Sequence, residues 1–412
     1  MPLIRPFSAL RPAPGRAAEV ISPPYDVLNT EEARTLAADR PWSFLHISKP
    51  EIDLPPGTDA YAPEVYAKAA DNLSRMLDSG ILKRDDRPLY YAYRLVMGDH
   101  TQLGLVATAS VAAYDANRIR KHEFTRPDKE DDRVRQIVAL NAQTGPVLLA
   151  YPDAPEIDRL LAKTAEQPSE ASAVAESGVR HTFWSIRDED TIARLTELFD
   201  ALPALYIADG HHRSAAASRV AASRRQSDPG HTGDESYEYF LSVIFPKSQM
   251  RIMDYNRLIK DLNGLSEAEF LSRVSERFAI EKADNPVKPE NPGQFGVYLG
   301  GHWRKLTIRP ELIPADPVAR LDVSLLQDNL ISPVLGISDP RRDRRIDFVG
   351  GVRGLRELER RVDSGEMAVA FSVHPTRMED LMAVADAGKV MPPKSTWFEP
   401  KLADGLASHV LD

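Results

Sequence analysis

The sequence predicts an α+β fold built around a mixed β-sheet, and three observations support this. Strand-like and helix-like segments alternate irregularly instead of forming repeated βα units. Residues 88–96 and 101–110 form an antiparallel hairpin pattern around the turn sequence Gly98-Asp99-His100. The apolar run at 204–208 leads directly into a segment with helical character. A sheet that receives both hairpins and strand-to-helix units is mixed.

The length of the chain predicts more than one packed lobe. With 412 residues it exceeds the usual size of a single domain. We expect an N-terminal α/β lobe at 1–115, a core at 116–250 and a C-terminal α/β lobe at 251–412.

Charge and cysteine content narrow the function classes. The net charge of −9 argues against broad binding to nucleic acid, which requires a basic face. The absence of cysteine excludes disulfides, thiolate nucleophiles and Cys-ligated zinc. Residues 1–7 lack a signal-peptide pattern, and no apolar run approaches the ~20 residues that cross a bilayer. We expect a cytoplasmic protein without nucleic-acid or membrane partners; the sequence leaves its oligomeric state open.

Turn residues and apolar spacing predict the elements of the N-terminal lobe. Asn29 or Thr30 can cap a short helix whose first turn is acidic. Residues 43–51 have the pattern of a short strand with a polar end. Apolar residues at near-helical spacing predict a helix over 60–79, and Gly80 is a natural stop.

The remaining elements follow from similar patterns. A helix precedes Asn141, and 153–177 reads as a peripheral helix-loop region. Strands are predicted at 146–151, 181–186, 239–245, 295–299, 305–308 and 367–373, and helices at 188–201, 267–278, 323–330 and 378–386.

The corner after the 204–208 strand carries the strongest functional signal. Its residues are Asp209, Gly210, His211, His212 and Arg213. Glycine permits a sharp turn and close approach of a ligand. The following helix directs N–H groups and its positive dipole end towards anions, and an arginine can bind phosphate through two bonds. The two histidines should point to different sides. The alternative interpretation is a helix cap with a surface histidine pair.

A second candidate segment contains His122 and Glu123. A glutamate kept ionised by basic neighbours is a candidate general base for a hydroxyl. The alternative is a solvated charged loop in front of a helix. The basic neighbours are Arg118, Arg120, Lys121 and Arg126.

A third segment contains Lys394, Ser395 and Thr396 on a proline-rich loop. A lysine and two hydroxyls suit phosphate or carboxylate contacts, although the glycine-rich P-loop pattern is missing. The pattern alone favours a rigid loop packed by Trp397 and Phe398.

Taken together, these segments resemble the free-serine kinases. The resemblance rests on His122-Glu123, on Ile207 to Arg213 and on Gly388 to Thr396. With Ser22-Pro23-Pro24-Tyr25-Asp26 added, the whole chain resembles a larger bacterial family catalogued as a domain of unknown function. The resemblance implies a ParB/sulfiredoxin-like core, and serine kinase activity with pyrophosphate has been assigned to members of that family.

The resemblance also implies roles for individual residues. Glu123 would deprotonate the serine hydroxyl, and Asp209 would assist at the reacting centre, directly or through Mg²⁺. His211 would act beside them. The implied phosphate- or substrate-binding residues are His122, Arg126, Gly210, His212, Arg213, Lys394, Ser395 and Thr396.

The leading hypothesis is therefore a small-molecule kinase that converts free L-serine to O-phosphoserine. The donor could be pyrophosphate, ADP or ATP, and the sequence does not choose among them. Two alternatives remain: a nucleotide-binding ParB-like regulatory module, and a metal-dependent phosphatase or hydrolase that uses the same acid and histidines.

Overall fold

A computed structural model describes residues 2–412 and divides them into two units. The first unit comprises the chain up to Met250 together with Pro400–Asp412, and the second comprises Arg251–Glu399. The strands are β1 Ile4–Arg5, β2 Leu10–Pro12, β3 Leu82–Arg84, β4 Tyr90–Met97, β5 His100–Ser110, β6 Ile119–Arg120, β7 Ala142–Gln143, β8 Val147–Tyr151, β9 Ala171–Val174, β10 Arg180–Ile186, β11 Leu205–Asp209, β12 Tyr239–Pro246, β13 Arg251–Met253, β14 Tyr255–Ile259, β15 Phe278–Ala283, β16 Gln294–Leu299, β17 His302–Ile308, β18 Ile346–Gly350, β19 Val369–Val373, β20 Trp397–Glu399 and β21 His409–Val410.

Helices flank these strands in both units. They are α1 Ala17–Val20, α2 Thr30–Ala37, α3 Leu45–Ser48, α4 Pro63–Asp78, α5 Val111–Asp115, α6 Pro127–Leu140, α7 Pro155–Ala165, α8 Glu189–Asp200, α9 His211–Ser227, α10 Glu267–Ser275, α11 Asp322–Leu326, α12 Ser332–Leu335, α13 Leu355–Asp363 and α14 Met378–Asp386. Within residues 2–412, none of these helices has both the length and the apolar composition that a membrane crossing requires.

The first unit is organised around a mixed sheet, which confirms the predicted α+β class. Its strand order is β6-β11-β8-β12-β5-β4-β10-β9, with β1 beside β5. The pairs β6–β11 and β8–β12 are parallel, whereas β4–β5 is the expected antiparallel hairpin. Since β6 and β11 run in the same direction, the segments that follow them leave the sheet at the same edge.

One core unites elements from both sides of residue 115. Buried side chains of β4 and β5 pack in the same cluster as those of β8, β11 and β12, together with residues of α7, α8 and α9. The sequence-based division between 1–115 and 116–250 therefore falls inside one sheet and one core. The last residues, 400–412, also belong to this unit, where β21 pairs with β7.

The second unit has its own antiparallel sheet, ordered β15-β17-β16-β19-β14-β18. Its core includes Leu258, Trp303, Leu358 and Ala370, all buried. Between α11 and α12 the chain forms a π-helical turn over Gln327–Ile331.

Several short elements differ from the sequence-based expectations. Residues 43–51 form α3 and a following 3₁₀ turn, not a strand, because a short apolar run fits a buried helical turn equally well. The region 153–177 contains α7 but ends in the edge strand β9. The helix expected over 267–278 stops at Ser275, and Phe278 already begins β15. The ParB/sulfiredoxin-like character of the core stays a prediction.

Candidate active site

The corner between β11 and α9 has the geometry that the sequence predicts. Leu205 to Ala208 are buried in the sheet, and Asp209 ends the strand at its surface. Gly210 has φ = 98°, a left-handed conformation that disfavours side chains. A Cβ atom there would lie 3.3 Å from the Val147 Cα and 3.3 Å from the Arg213 Nε. The backbone conformation therefore requires glycine, and the close contacts add to the cost of any side chain.

The pairing of β6 with β11 brings the second predicted segment to this corner. Ile119 pairs with Leu205, and Arg120 pairs with Tyr206. The chain then continues from β6 to Glu123, whose Oε2 lies 3.8 Å from the Nδ1 of His211. Two motifs almost ninety residues apart therefore meet at one sheet edge.

The contacts of His211 define its protonation. The backbone N–H of His122 donates to the His211 Nε2 at 3.3 Å, and the two rings meet edge to face at 4.5 Å between centroids. Because Nε2 is an acceptor, the ring proton is assigned to Nδ1, which faces Glu123. Burial, with the neighbouring His122, lowers the pKa of His211 well below its usual range. The neutral ring therefore presents its Nδ1–H towards the Glu123 carboxylate across 3.8 Å.

His122 is also neutral and buried. Burial lowers its pKa to about 4, against the opposing effect of a bond to the Ile207 backbone. Its Nδ1 is buried without a hydrogen-bond partner in the described chain. The neutral His122 ring packs against His211, and its predicted role in phosphate or substrate binding stays a prediction.

Glu123 lies at the surface of the corner. Its side chain is 54% exposed, and the adjacent Phe124 is 75% exposed. All four basic neighbours expected to act on Glu123 contact other groups. Arg120 donates to the Tyr206 hydroxyl at 3.3 Å. Arg118 pairs with Asp200 at 3.0 Å, Lys121 lies 3.8 Å from the Tyr114 ring centroid, and Arg126 pairs with Asp128 at 2.7 Å. The predicted ionisation of Glu123 stays a prediction.

Two cations face Asp209. The Lys401 Nζ lies 3.4 Å from its Oδ2, and the Arg213 Nη2 lies 3.9 Å from its Oδ1. Although burial raises the pKa of Asp209, Lys401 and Arg213 outweigh burial and lower it overall. Asp209 is therefore held ionised and positions Lys401 at the mouth of the corner.

Arg213 is directed into the protein behind the turn. Its side chain is only 10% exposed, and it donates to the Pro146 carbonyl and to Asp26 Oδ2, the latter at 3.3 Å. Burial by itself lowers the pKa of Arg213, but nearby groups, chiefly the carboxylates of Asp26 and Asp209, raise it by a larger amount. The net pKa is above its usual value, so the guanidinium stays charged. The contact with Asp26 ties the Ser-Pro-Pro-Tyr-Asp segment to the corner.

A small polar cavity of about 30 Å³ lies beside Arg213. Its lining includes Tyr25, Arg133 and Asp404, and the Arg133 guanidinium lies 3.8 Å from the Tyr25 ring centroid. Burial raises the pKa of Asp404 to about 7, although Arg213 opposes this shift. Its Oδ2 is buried and has no hydrogen-bond partner within residues 2–412. The cavity has the size and polarity to hold an ordered water.

His212 lies on a different side of the helix from His211, as the sequence predicts. Its Nε2 accepts a hydrogen bond from the backbone N–H of Arg126 at 3.1 Å. Burial lowers its pKa, so it too is a weak base. His212 thereby anchors the loop that carries Glu123, while Arg126 itself is mostly exposed and paired with Asp128.

Lys394, Ser395 and Thr396 belong to the second unit. Lys394 has φ = 59°, and its carbonyl accepts from the Arg257 Nη2 at 3.0 Å. The Ser395 hydroxyl donates to the Pro392 carbonyl at 2.6 Å. These contacts define a rigid loop; the role of its three residues in substrate or phosphate binding stays a prediction.

Two residues of the site, Lys401 and Asp404, escape sequence reasoning, whereas Asp26 lies in the Ser-Pro-Pro-Tyr-Asp segment that the sequence analysis noted. All three lie near the two ends of the chain and far in sequence from the corner they support. Tyr25-Asp26 is a weak signal because an exposed acidic residue in a proline-rich segment is common. No local pattern distinguishes Lys401 from other surface lysines.

One group of donors at the site could hold a metal ion. His122, Glu123 and His211 each offer a ligand atom, and these atoms lie within 4.8 Å of one another. Two imidazoles and one carboxylate suit zinc and related transition metals better than Mg²⁺, which prefers oxygen ligands.

A family model described as "Protein of unknown function (DUF1015)" matches residues 4–324. The chain belongs to this family. The matched residues include Glu123, the corner and Asp26, whereas Lys394 to Thr396 and Lys401 lie beyond them. No curated protein matches the chain in sequence.

Solved structures with a likeness to this chain are distant from it. A mutant free serine kinase in complex with AMP is 14% identical, with a TM-score of 0.35 over 71% of this chain and 87% of that one. A conserved hypothetical protein from Pyrococcus furiosus is 12% identical, with a TM-score of 0.34 over 73% and 94%. SbnI with a C-terminal truncation, from Staphylococcus aureus, is 10% identical, with a TM-score of 0.38 over 73% and 85%. At these TM-scores the likenesses support no conclusion about the site.

Proposed function

We propose that this protein is a phosphotransferase that phosphorylates the hydroxyl of free L-serine. The observation that carries the proposal is the meeting of a surface carboxylate, Glu123, with a helix N-terminus whose turn also holds the Asp209–Lys401 pair. A base for a hydroxyl and a cationic, N–H-rich anion site therefore occupy one edge of one sheet. Phosphoryl transfer needs this combination of base and positive charge around the moving group.

Each group has a defined part in the proposed reaction. Glu123 accepts the proton of the serine hydroxyl, and the neutral His211 lies beside its carboxylate. The serine oxygen forms a bond to the terminal phosphorus of the donor, while the bond between that phosphorus and the leaving phosphate oxygen breaks. Lys401 and the first N–H groups of α9 stabilise the phosphoryl oxygens. Arg213 lies behind the turn and contributes indirectly, through its ion pair with Asp209.

Mg²⁺ fits this proposal in one way. In phosphoryl-transfer sites Mg²⁺ is commonly held by one or two carboxylates and by the phosphates themselves. Asp209 is the carboxylate available for it, but two cations already face Asp209. We therefore infer that Mg²⁺ enters together with the donor phosphates and offsets their charge.

The experiment combines purified protein, Mg²⁺ and L-serine with pyrophosphate, ADP or ATP in separate reactions. Phosphoserine is detected by ³¹P NMR, and the donor that yields it is thereby identified. If no donor produces phosphoserine, the proposal is wrong.

A matched pair of variants tests the role of the base. Glu123→Gln should lower kcat by about 10²–10⁴-fold, the usual contribution of general-base catalysis. Glu166→Gln, an exposed glutamate just after α7, is the control and should retain full activity. A near-normal rate for Glu123→Gln removes the base role from this residue.

A second candidate function rests on the His122, Glu123 and His211 donors. A zinc-like ion bound there would activate water and favour hydrolysis of phosphate esters. The discriminating assay follows phosphoserine and pyrophosphate without an acceptor, in the presence of Zn²⁺ or Mn²⁺. Net hydrolysis that EDTA abolishes, with no serine phosphorylation, favours the hydrolase.

A further inference from the structure

The second unit contains a pocket that the proposed phosphotransfer does not use. Its volume is about 230 Å³, below the ~300–1,000 Å³ of pockets for drug-sized ligands. It has the size for a small metabolite. Its lining residues all lie within the second unit: Pro292, Gly293, Ile313, Arg320, Leu321, Asp322, Leu325, Thr376, Arg377 and Asp380.

Two of the four charged side chains in this pocket neutralise each other. Arg377 donates to Asp380 through Nε at 2.8 Å and Nη2 at 2.9 Å. This bidentate pair lies at the start of α14 and forms one wall of the pocket. Its net charge is zero, so it does not select the charge of a ligand.

The other two charged residues of the pocket, Arg320 and Asp322, have no ion-pair partner within residues 2–412. The Arg320 side chain is exposed, and no hydrogen bond of it occurs among these residues. The Asp322 carboxylate accepts hydrogen bonds from the backbone N–H of Gly293, at 2.5 Å, and from its own backbone N–H. Burial, with a smaller contribution from Asp380, raises the pKa of the Asp322 carboxyl to about 7, and the Gly293 bond and Arg377 only partly oppose this. A cationic group in the pocket would supply the missing partner of the ionised carboxylate.

Apolar side chains complete the lining. Leu321 and Leu325 are buried, and Ile313 and Pro292 lie at the more exposed side. Such a surface accommodates a short aliphatic group. A ligand matching the whole pocket therefore has one anionic group, one cationic group and a small apolar part.

The walls are held in place by contacts with the segment that precedes β20. The Thr376 hydroxyl donates to the Ser395 carbonyl at 2.8 Å, and the Lys389 ammonium pairs with Asp316, four residues before Arg320. These contacts tie both sides of the pocket to one segment, so the pocket is formed before a ligand arrives.

We propose that this pocket binds a small aliphatic α-amino acid, with the ligand carboxylate on Arg320 and the ligand ammonium on Asp322. The pocket is formed by residues of the second unit, whereas Glu123 and the corner belong to the first, and the proposal does not depend on the phosphotransferase activity. It gives the second unit a ligand-binding role.

The first test compares L-valine with its two halves on the full-length protein by isothermal titration calorimetry. Isovalerate lacks the ammonium, and isobutylamine lacks the carboxylate. We expect L-valine to bind at least tenfold more tightly than either half. This comparison uses the unmodified chain, so no folding defect affects it. Equal binding of valine and isovalerate indicates a simple anion site and overturns the proposal, as does the absence of valine binding at millimolar concentration.

The second test uses charge-neutral variants with matched controls. Arg320→Gln and Asp322→Asn should each weaken valine binding at least tenfold, whereas Asp322→Asn should bind isovalerate as well as or better than valine. Arg344→Gln, an exposed arginine of the same unit, and Glu123→Gln in the first unit should bind valine unchanged. Valine binding that Glu123→Gln abolishes, or that Arg320→Gln leaves intact, places the amino acid elsewhere and refutes the assignment.

Discussion

Replacement of Gly210 by alanine tests the geometry of the corner. Two costs follow from the structure. A non-glycine residue at φ = 98° costs about 1–2 kcal/mol. The new methyl group also lies 3.3 Å from the Val147 Cα, a backbone atom that cannot rotate away, and overpacking of this kind costs about 1–3 kcal/mol. We expect a total loss of about 2–5 kcal/mol, the sum of these two ranges.

Gly178→Ala is the matched control for this experiment. Gly178 has φ = 80° in a surface turn, but a Cβ atom there meets nothing within 4 Å. It therefore carries only the conformational cost, about 1–2 kcal/mol. The difference between the two variants isolates the crowding at the corner.

Hydrogen exchange on the full-length chain measures the effect where it occurs. Amides of β8, β11 and the first turns of α9 should exchange faster in Gly210→Ala, by the factor that corresponds to the lost opening free energy. Gly178→Ala should leave these amides nearly unchanged. If Gly210→Ala protects them as well as the original chain does, the turn does not have the positive φ and the close contact on which the reasoning rests.

Three further predictions concern protonation, charge and capping. Because burial lowers the pKa of His122 to about 4, the unfolded chain binds this proton more readily. The contribution of His122 to the free energy of unfolding is therefore fully present above about pH 6.5, and it falls by up to about 3 kcal/mol as the pH drops towards 4. His122→Gln should make the free energy of unfolding, measured by urea unfolding, less dependent on pH between these two values. Lys401→Gln should raise the pKa of Asp209, because Lys401 lowers it. It should also lower the phosphotransfer kcat/KM about 10–100-fold, because one charge-assisted contact is lost. An unchanged kcat/KM excludes Lys401 from the site. Asn29→Ala should cost about 1 kcal/mol, because the Asn29 side chain accepts from the backbone N–H of Glu32 in a capping box, and an unchanged thermal midpoint contradicts this.

Local patterns were informative where neighbouring residues alone decide the conformation. Asn29 caps α2, the turn at Gly98-Asp99 closes the β4–β5 hairpin, and α14 has the bounds that its apolar spacing predicts. The same patterns were ambiguous over 43–51, where a short apolar run fits a strand and a helical turn equally well, and they did not place the end of the 267–278 helix, which stops at Ser275. There, packing against the rest of the unit selected the conformation.

In the candidate site, too, some features follow from local sequence and others depend on the tertiary structure. Local sequence was sufficient for the β11-Gly210-α9 corner, because a buried strand, a glycine and a helix start each have a pattern in adjacent residues. The burial that makes His122 and His211 neutral follows from the parallel pairing of β6 with β11, which no local pattern specifies.

Only the tertiary structure brings Lys401 to Asp209 and Asp26 to Arg213, across almost two hundred residues of chain in each case. It also leaves Arg320 and Asp322 unpaired in one pocket. The physical reason is common to all of these features. The charge state and the partner of a side chain depend on the groups that the fold places around it, whereas the neighbouring sequence determines only the local backbone conformation.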